Sequence, residues 1–211
     1  ENLSSVGTQP IIGTQILFKY KNLSGIIPLL AKNYVGYKNI IKLSSKSYLE
    51  NLQATDPHCN LEDLLNNPEG IIILTGSIRC MFGSLFNKGL FNEIEEILIK
   101  LKEKFINNIY IEIQRHNDLN EKDFENYNLK ISKKLELPII ASNEVYYLEK
   151  DMFEAHDALM CIGKKTYVND ANRIKLTNQH YFKYSDEMIE LFKDLPEALE
   201  NNFNLPYRCS F

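Results

Sequence analysis

The sequence alternates short runs of apolar, mostly β-branched residues with longer stretches in which apolar residues recur every three or four positions. Ile71-Ile72-Ile73-Leu74 is one such run, and it is followed by Phe91, Ile94, Leu98, Leu101 and Phe105 at helical spacing. Strand-like runs that alternate with amphipathic helices are typical of β-α units around a largely parallel sheet. The chain is therefore predicted to be an α/β protein.

The same patterns predict the order of the elements. The predicted strands are Pro10–Tyr20, Gly25–Leu30, 71–76, 108–113 and 139–142, with a turn at 21–24 and a polar loop at 53–60. The predicted helices are Tyr37 to about Leu52, Leu61–Leu65, 91–105, Asn120 to Leu135, about Asp151 to Cys161, 186–195 and one that begins at Pro196. We see no internal repeat, and the 211 residues are predicted to form a single domain with a helical C-terminal extension.

Helix ends are also predicted from side-chain chemistry. Asn120 and Asp123 have the spacing of a capping box, in which each side chain binds a backbone N–H of the first turn. Gly163 is expected to end the helix that reaches Cys161, because glycine tolerates the left-handed conformation. Ser185 is the expected N-cap of the next helix, and Pro196 the first residue of the last one.

Composition excludes several classes of protein. Hydrophobic residues make up 44% and charged residues 25% of the chain, which excludes a disordered or fibrous protein. The net charge of −4 argues against this chain alone gripping a phosphate backbone. No apolar run is long enough to cross a bilayer and no secretory signal is present, so we expect a cytoplasmic protein. Because the chain begins with Glu1, we also expect it to be a piece of a longer protein.

The four cysteines, Cys59, Cys80, Cys161 and Cys209, are far apart in the sequence, and no C-x-x-C pair occurs. This spacing favours neither a disulfide framework nor a structural zinc site, so free thiols are expected.

The histidines give one candidate ligand. His116 follows the strand predicted at 108–113, and strand ends are where α/β folds build sites. Glu144 lies at the end of the next strand, so the two residues are candidate metal ligands, or else polar residues that order their loops. Two ligands are fewer than a transition-metal site usually needs. His58 is expected to be solvent-exposed, and His180 has no acidic neighbour within four positions.

Gly76-Ser77 after a buried strand is a weak phosphate-binding signal, because no G-x-x-x-x-G-K or G-x-G-x-x-G motif accompanies it. From residue chemistry alone, the sequence indicates a soluble α/β domain without a recognisable active site.

The order of several segments is more specific than any one motif. These segments are Gly7–Gly13, Leu29–Asn33, Gly36–Ile40, Ile72–Gly76, Tyr110–His116, Leu137–Asn143, Ala155–Asp157 and Leu195–Leu199. Together, from about Gly7 to Cys209, they resemble the PHP (polymerase and histidinol phosphatase) domain of bacterial replicative DNA polymerase III alpha subunits.

The resemblance implies an irregular (β/α)7 barrel. The family's opening segment, which carries an H-x-H motif, has no counterpart here, so the expected fold is an incomplete barrel. Its barrel part is expected at about 7–165 and its helical extension at about 166–211. The polymerase domain, for which Mg²⁺ is the expected cofactor, is expected to lie beyond Phe211 in the full-length protein.

The resemblance also assigns the family's metal-ligand positions. They correspond to Gln15, Ile26, Ser77, Glu144 and Tyr146, of which Glu144 alone keeps a side chain of a metal-ligand type. Amide, alkyl, hydroxyl and phenol groups do not replace carboxylate, imidazole and thiolate at such a site. The implied metal site is therefore lost, with His116 and Glu144 as vestigial candidates, and no catalytic residue or cofactor is expected in this chain.

This loss is similar to the proteobacterial branch of the family, in which a separate subunit proofreads. The resemblance implies a non-catalytic platform that docks the proofreading exonuclease subunit, with other holoenzyme subunits and, through the full-length protein, DNA as further partners. One alternative is a metal-dependent phosphoesterase or exonuclease that uses His116 and Glu144. Another is an unrelated barrel enzyme or binding protein. The truncated barrel edge is expected to promote self-association.

Overall fold

A computed structural model of the chain describes residues 5–51 and 56–210. Its strands are β1 (Gly13–Tyr20), β2 (Leu23–Ala31), β3 (Cys59–Asn60), β4 (Ile71–Leu74), β5 (Ile109–Ile113) and β6 (Ile139–Ala141). They form one six-stranded sheet in the order β3-β1-β2-β4-β5-β6. The α/β class is confirmed, and the sheet is open, with β3 and β6 at its edges, as in an incomplete barrel.

The sheet is less parallel than the sequence pattern predicted. The pairs β1–β3, β4–β5 and β5–β6 are parallel, whereas β2 is antiparallel to both β1 and β4. The cause is the tight turn between β1 and β2, where Lys21 has a left-handed backbone (φ 53°). A two-residue turn joins antiparallel strands only, since a parallel connection needs a crossover of about a dozen residues.

The helices surround this sheet. They are α1 (Tyr34–Leu49), α2 (Leu61–Leu65), α3 (Met81–Asn87), α4 (Phe91–Lys104), α5 (Glu121–Leu135), α6 (Phe153–Lys164), α7 (Ser185–Leu191) and α8 (Pro196–Asn204). Asn33 caps α1 by accepting the Gly36 N–H at 3.0 Å. The end predicted for this helix, Leu52, and part of the predicted loop at 53–60 lie outside the described residues. The short helix α3 was not predicted.

The core lies between the sheet and the helices α1 to α5. Strand β5 is buried along its whole length, and β4 is buried from Ile71 to Ile73. Helix α4 buries Ile94, Ile97, Leu98 and Leu101, which confirms its predicted apolar stripe except at Phe91, whose side chain is 47% exposed. Burial of these apolar surfaces is the main force that holds the helices on the sheet.

Three predicted helix ends are wrong. Asn120 has a left-handed backbone and no capping bond, and its amide binds Asn87 instead. Gly163 lies inside α6, which ends at Lys164 with Lys165 in the left-handed conformation. The N-cap of α7 is Tyr184, whose N–H is bound by the Glu187 carboxylate at 2.8 Å. The prediction of Pro196 as the start of the last helix is confirmed.

The C-terminal segment packs on the β4-β5-β6 side of the sheet. The side-chain amides of Asn201 and Asn202 donate to the backbone carbonyls of Ile139 and Ala141 at 2.8 and 2.7 Å. Helix α8 thereby covers the outer edge of β6, which limits pairing with another chain there. At the opposite side, β3 pairs only with Phe18 and Lys19, so the first residues of β1 have one strand partner among the described residues.

Within the described ranges, no helix combines the length and apolar character needed to span a membrane.

Candidate functional site

The strands β4, β5 and β6 run parallel, so the segments that follow them meet at one edge of the sheet. Glu112, near the end of β5, joins all three. Its carboxylate accepts the Gly76 N–H at 3.0 Å from the segment after β4 and the Ser142 hydroxyl from the segment after β6. It also accepts the Gln114 amide at 2.8 Å. This buried carboxylate fixes the floor of the candidate site.

Burial sets the protonation of Glu112. Removal from water raises its pKa above the ordinary value, and this effect outweighs the opposing hydrogen bonds from Ser142, Gln114 and Gly76. The nearby negative charge of Glu144 raises the pKa further. The fold therefore favours the neutral form of Glu112 more than water does.

Gly76 is required at its position. Its backbone is left-handed (φ 80°), and a Cβ there would lie 2.6 Å from Cβ and Sγ of Cys80. Any other residue would push Cys80 out of place, because both distances are shorter than a Cβ atom allows. The glycine thus permits the tight turn that leads from β4 into α3.

His116 lies above this floor, and its ring is 1% exposed. The carboxylate of Glu121, the first residue of α5, binds the backbone N–H groups of His116 and Asn117, each at 2.7 Å. The ring nitrogen Nε2 lies 2.9 Å from Asn143 Oδ1 and 3.2 Å from the Glu144 backbone nitrogen. The loop after β5 is therefore rigidly attached to α5 and to the loop after β6.

His180 completes the centre, although its sequence neighbours gave no reason to expect it. Its fully buried ring stacks on His116 with a centroid distance of 4.0 Å and an interplanar angle of 8°. Its Nδ1 lies 3.1 Å from the Glu144 carbonyl oxygen, and its Nε2 lies 3.6 Å from Asp118 Oδ2. His180 thus has an acidic neighbour in space, supplied by the loop after β5.

Arg79 closes the outer side of the centre. Its guanidinium forms a short ion pair with Asp118 and lies 3.2 Å from His180 Nε2. Burial raises the pKa of Asp118, but the hydrogen bond to His180 and the charge of Arg79 lower it by more, so it ends below its usual value. Asp118 is therefore ionised at neutral pH and is balanced by Arg79.

Glu144 and Tyr146 lie next to the histidines. The Tyr146 hydroxyl donates to Glu144 Oε1 at 2.9 Å, and its ring meets His180 edge to face at 5.6 Å. Burial and the negative charge of Glu144 raise the pKa of Tyr146 to about 12. Tyr146 is therefore a neutral phenol at physiological pH, and a neutral phenol is a poor metal ligand.

The five family ligand positions do not form a single donor set. Gln15 and Ile26 line a groove beside α1, and the described lining of that groove includes neither Ser77 nor Glu144. Ser77 is buried, and its hydroxyl binds Cys80 and the Arg79 backbone. Of these five side chains, only Glu144 carries an anionic oxygen. The side chains at these positions therefore do not fit the metal site that the fold family implies.

The remaining histidines and the cysteines contribute little to this centre. His58 is half-buried rather than exposed, and its Nδ1 lies 2.9 Å from the Asp56 carbonyl oxygen. All four cysteines are free and buried. The free thiols confirm the prediction made from the wide spacing of the cysteines. Burial raises the pKa of Cys80 to about 11, so this thiol is not a nucleophile at neutral pH.

Sequence reasoning found His116 and Glu144 but missed Glu112, Arg79 and the pairing of Asp118 with His180. The H-x-D spacing of His116 and Asp118 was the one local signal available. No sequence signal joined them to His180, which is brought near by the bridge between Tyr147 and Tyr181.

Comparison with known proteins agrees with the resemblance seen in the sequence. The sequence profile of the PHP domain matches residues 1–116, more than half of the chain. The chain belongs to the PHP domain family. The matched region contains strands β1 to β5 and ends at His116.

Relatives that match nearly the whole chain include DNA polymerase subunits. DNA polymerase III subunit alpha of Rickettsia bellii is 37% identical over 206 residues, 97% of this chain and 18% of the relative. The protein of the same name from Borreliella burgdorferi is 36% identical over 216 residues, covering 96% of this chain and 19% of that relative. The chain therefore spans less than a fifth of the length of these curated relatives.

Proposed function

We propose that this chain is the PHP region of a replicative DNA polymerase III alpha subunit and serves there as a non-catalytic platform. The observation that carries the proposal is the match to alpha subunits along 97% of the chain. DNA-directed DNA synthesis, Mg²⁺ dependence, binding to DNA and a cytoplasmic location belong, on this proposal, to the full-length protein. We retain the predicted division into a barrel part at about 7–165 and an extension at about 166–211.

The side chains at the family's ligand positions support the non-catalytic role. Gln15 and Ile26 face a different groove from Glu144, and Tyr146 is held as a neutral phenol. A cluster of two or three metal ions needs several carboxylates, imidazoles or thiolates in one place, and these positions do not supply them.

The platform's partner is proposed to be the proofreading exonuclease subunit. Two observations support a binding role: the rigid network around Glu112 and His116, which holds three loops in fixed positions, and the many apolar side chains left exposed on the surface. The test is co-purification of the chain with the exonuclease subunit encoded by the same genome. Recovery of the exonuclease with the chain, but not with an unrelated acidic protein, is expected.

The alternative function, a metal-dependent phosphoesterase, has one observation in its favour: His116, Asp118 and His180 form a potential donor group beside Glu144. The test is hydrolysis of p-nitrophenyl phosphate and of single-stranded DNA with added Mn²⁺ or Zn²⁺. We expect no turnover above that of the Glu144→Ala variant. Turnover that this substitution abolishes would replace the platform proposal with the phosphoesterase.

A further inference from the structure

We propose that the outer face of helix α6 is a dimer contact, on which the same helix of a second copy of this chain packs antiparallel. This face consists of Ala155, Ala158, Leu159 and Ile162, whose spacing of three, four and seven residues places them on one side of the helix. All four are exposed, Leu159 by 64% and Ile162 by 75%. The inference does not rest on the proposed platform function.

The opposite face of α6 is held against the rest of the chain. Asp157 and Cys161 are its buried residues. Arg173 binds both carboxylate oxygens of Asp157, at 2.5 and 2.7 Å, and the two side chains are only 6% and 9% exposed. Turning the outer face inward would break this buried ion pair, which is strongly unfavourable. The apolar outer face therefore stays at the surface of the single chain.

Exposed apolar side chains also flank the helix. Met152, immediately before α6, is 44% exposed, and Tyr167 and Val168, shortly after it, are 80% and 56% exposed. An exposed apolar surface of this extent with charged residues around it is typical of a contact with another protein. Burial of this surface against another chain would supply the main driving force for association.

The charges at the two ends of α6 indicate which chain fits this surface. Glu154 lies in the first turn, and Lys165 follows the last residue of the helix; both are exposed. The 12-residue helix is about 18 Å long, so its ends are well separated. In an antiparallel pair, Glu154 of each copy lies beside Lys165 of the other, and the helix dipoles oppose each other favourably. A parallel pair would bring like charges together, so α6 complements itself in the antiparallel direction only.

The side-chain sizes agree with this arrangement. A two-fold axis through the middle of α6, between Ala158 and Leu159, pairs Leu159 of one copy with Ala158 of the other, and Ile162 with Ala155. Each pair sets a large side chain opposite a small one, which lets the two helices interdigitate. Because both copies use the same surface, the contact closes at two chains. We therefore infer a dimer.

The experiment is analytical ultracentrifugation of the purified chain at rising concentration and low ionic strength, where exposed ion pairs are least screened. We expect a reversible equilibrium between monomer and dimer. Leu159→Glu should weaken dimerisation at least tenfold, because it places two like charges near the two-fold axis. The matched control is Ile189→Glu in α7, where the replaced side chain is 57% exposed. Its dimerisation should equal that of the wild type.

Two charge variants test the antiparallel direction. Glu154→Lys and Lys165→Glu should each weaken dimerisation roughly fivefold, because each creates two like-charge contacts in the dimer. An equimolar mixture of the two variants should regain the affinity of the wild type, since every Lys then faces a Glu. Both substitutions lie at exposed positions, so this mixture remains the test if circular dichroism shows that Leu159→Glu does not fold.

Three results would overturn the proposal. The first is a wild-type chain that stays monomeric at every concentration. The second is a folded Leu159→Glu variant that associates as strongly as the wild type, because the contact would then lie elsewhere, for example at the β1 edge. The third is a mixture of the charge variants that associates no better than either variant alone.

Discussion

Replacement of Glu112 by leucine should destabilise the chain, because Glu112 joins the segments after three strands. Leucine removes the acceptor for the buried Gly76 N–H and for the side chains of Gln114 and Ser142. Gln114 and Ser142 are half-buried and can turn to water, so the Gly76 N–H accounts for most of the loss. A buried donor left without an acceptor costs about 1–3 kcal/mol, so we expect the free energy of unfolding to fall by about 2 kcal/mol.

A second variant, Glu112→Gln, separates shape from ionisation. Burial raises the pKa of Glu112 in the folded chain above its unfolded value of about 4.5, so folding binds a proton in the range between the two values. The stability contributed by this proton is complete below the unfolded pKa and is lost as the pH rises through the folded pKa. Relative to Glu112→Gln, the wild type should therefore lose stability as the pH rises.

The assay is guanidinium chloride unfolding of wild type, Glu112→Leu and Glu112→Gln at about pH 5 and about pH 8. Three outcomes would refute the reasoning. Glu112→Leu as stable as the wild type would show that the carboxylate does not hold the segments together. A stability difference between wild type and Glu112→Gln that stays flat, or that grows in favour of the wild type at higher pH, would show that its pKa is not raised.

Three further predictions concern packing and association. Gly36→Ala should lower the free energy of unfolding by more than about 3 kcal/mol, because the added Cβ would lie 1.7 Å from the Gly70 carbonyl oxygen. The control, Gly163→Ala at an exposed position of α6, should raise it by about 0.5–1 kcal/mol. Thermal melting compares the two variants, and equal melting temperatures would contradict the close approach of Gly36 to Gly70. Asn202→Leu should expose the Ala141 carbonyl at the β6 edge and accelerate amide hydrogen exchange near β6, and unchanged exchange would show that α8 does not protect this edge. Light scattering at rising protein concentration should show self-association through the incompletely paired β1 edge, and a monomer at all concentrations would count against it.

The elements that sequence patterns predicted well are those in which one force dominates. Strand β4 and helix α4 have strong apolar patterns, and burial of those residues leaves little choice of structure. The antiparallel placement of β2 depends on the left-handed turn at Lys21, which the apolar pattern does not record. Helix ends at Asn120 and Gly163 were wrong because the tertiary contacts of the neighbouring loops decide where those helices begin and end.

The site was less predictable than the fold because its members come from distant parts of the chain. His116 and Glu144 follow neighbouring strands, so topology placed them close together. His180 follows no strand of the sheet, and only the packing of its segment against Tyr147 brings its ring onto His116. The family resemblance did not help here, because it assigns no ligand at His116, Asp118 or His180.

The central claim is that this chain is a docking platform of a polymerase, and the most direct measurement is its affinity for the exonuclease subunit of the same genome. Calorimetric titration of the 211-residue chain with that subunit should give saturable binding at one exonuclease per chain. The full-length alpha subunit, titrated in parallel, should bind with a similar affinity. Binding by the full-length protein without any binding by this chain would contradict the account, since it would place the docking surface elsewhere in the polymerase.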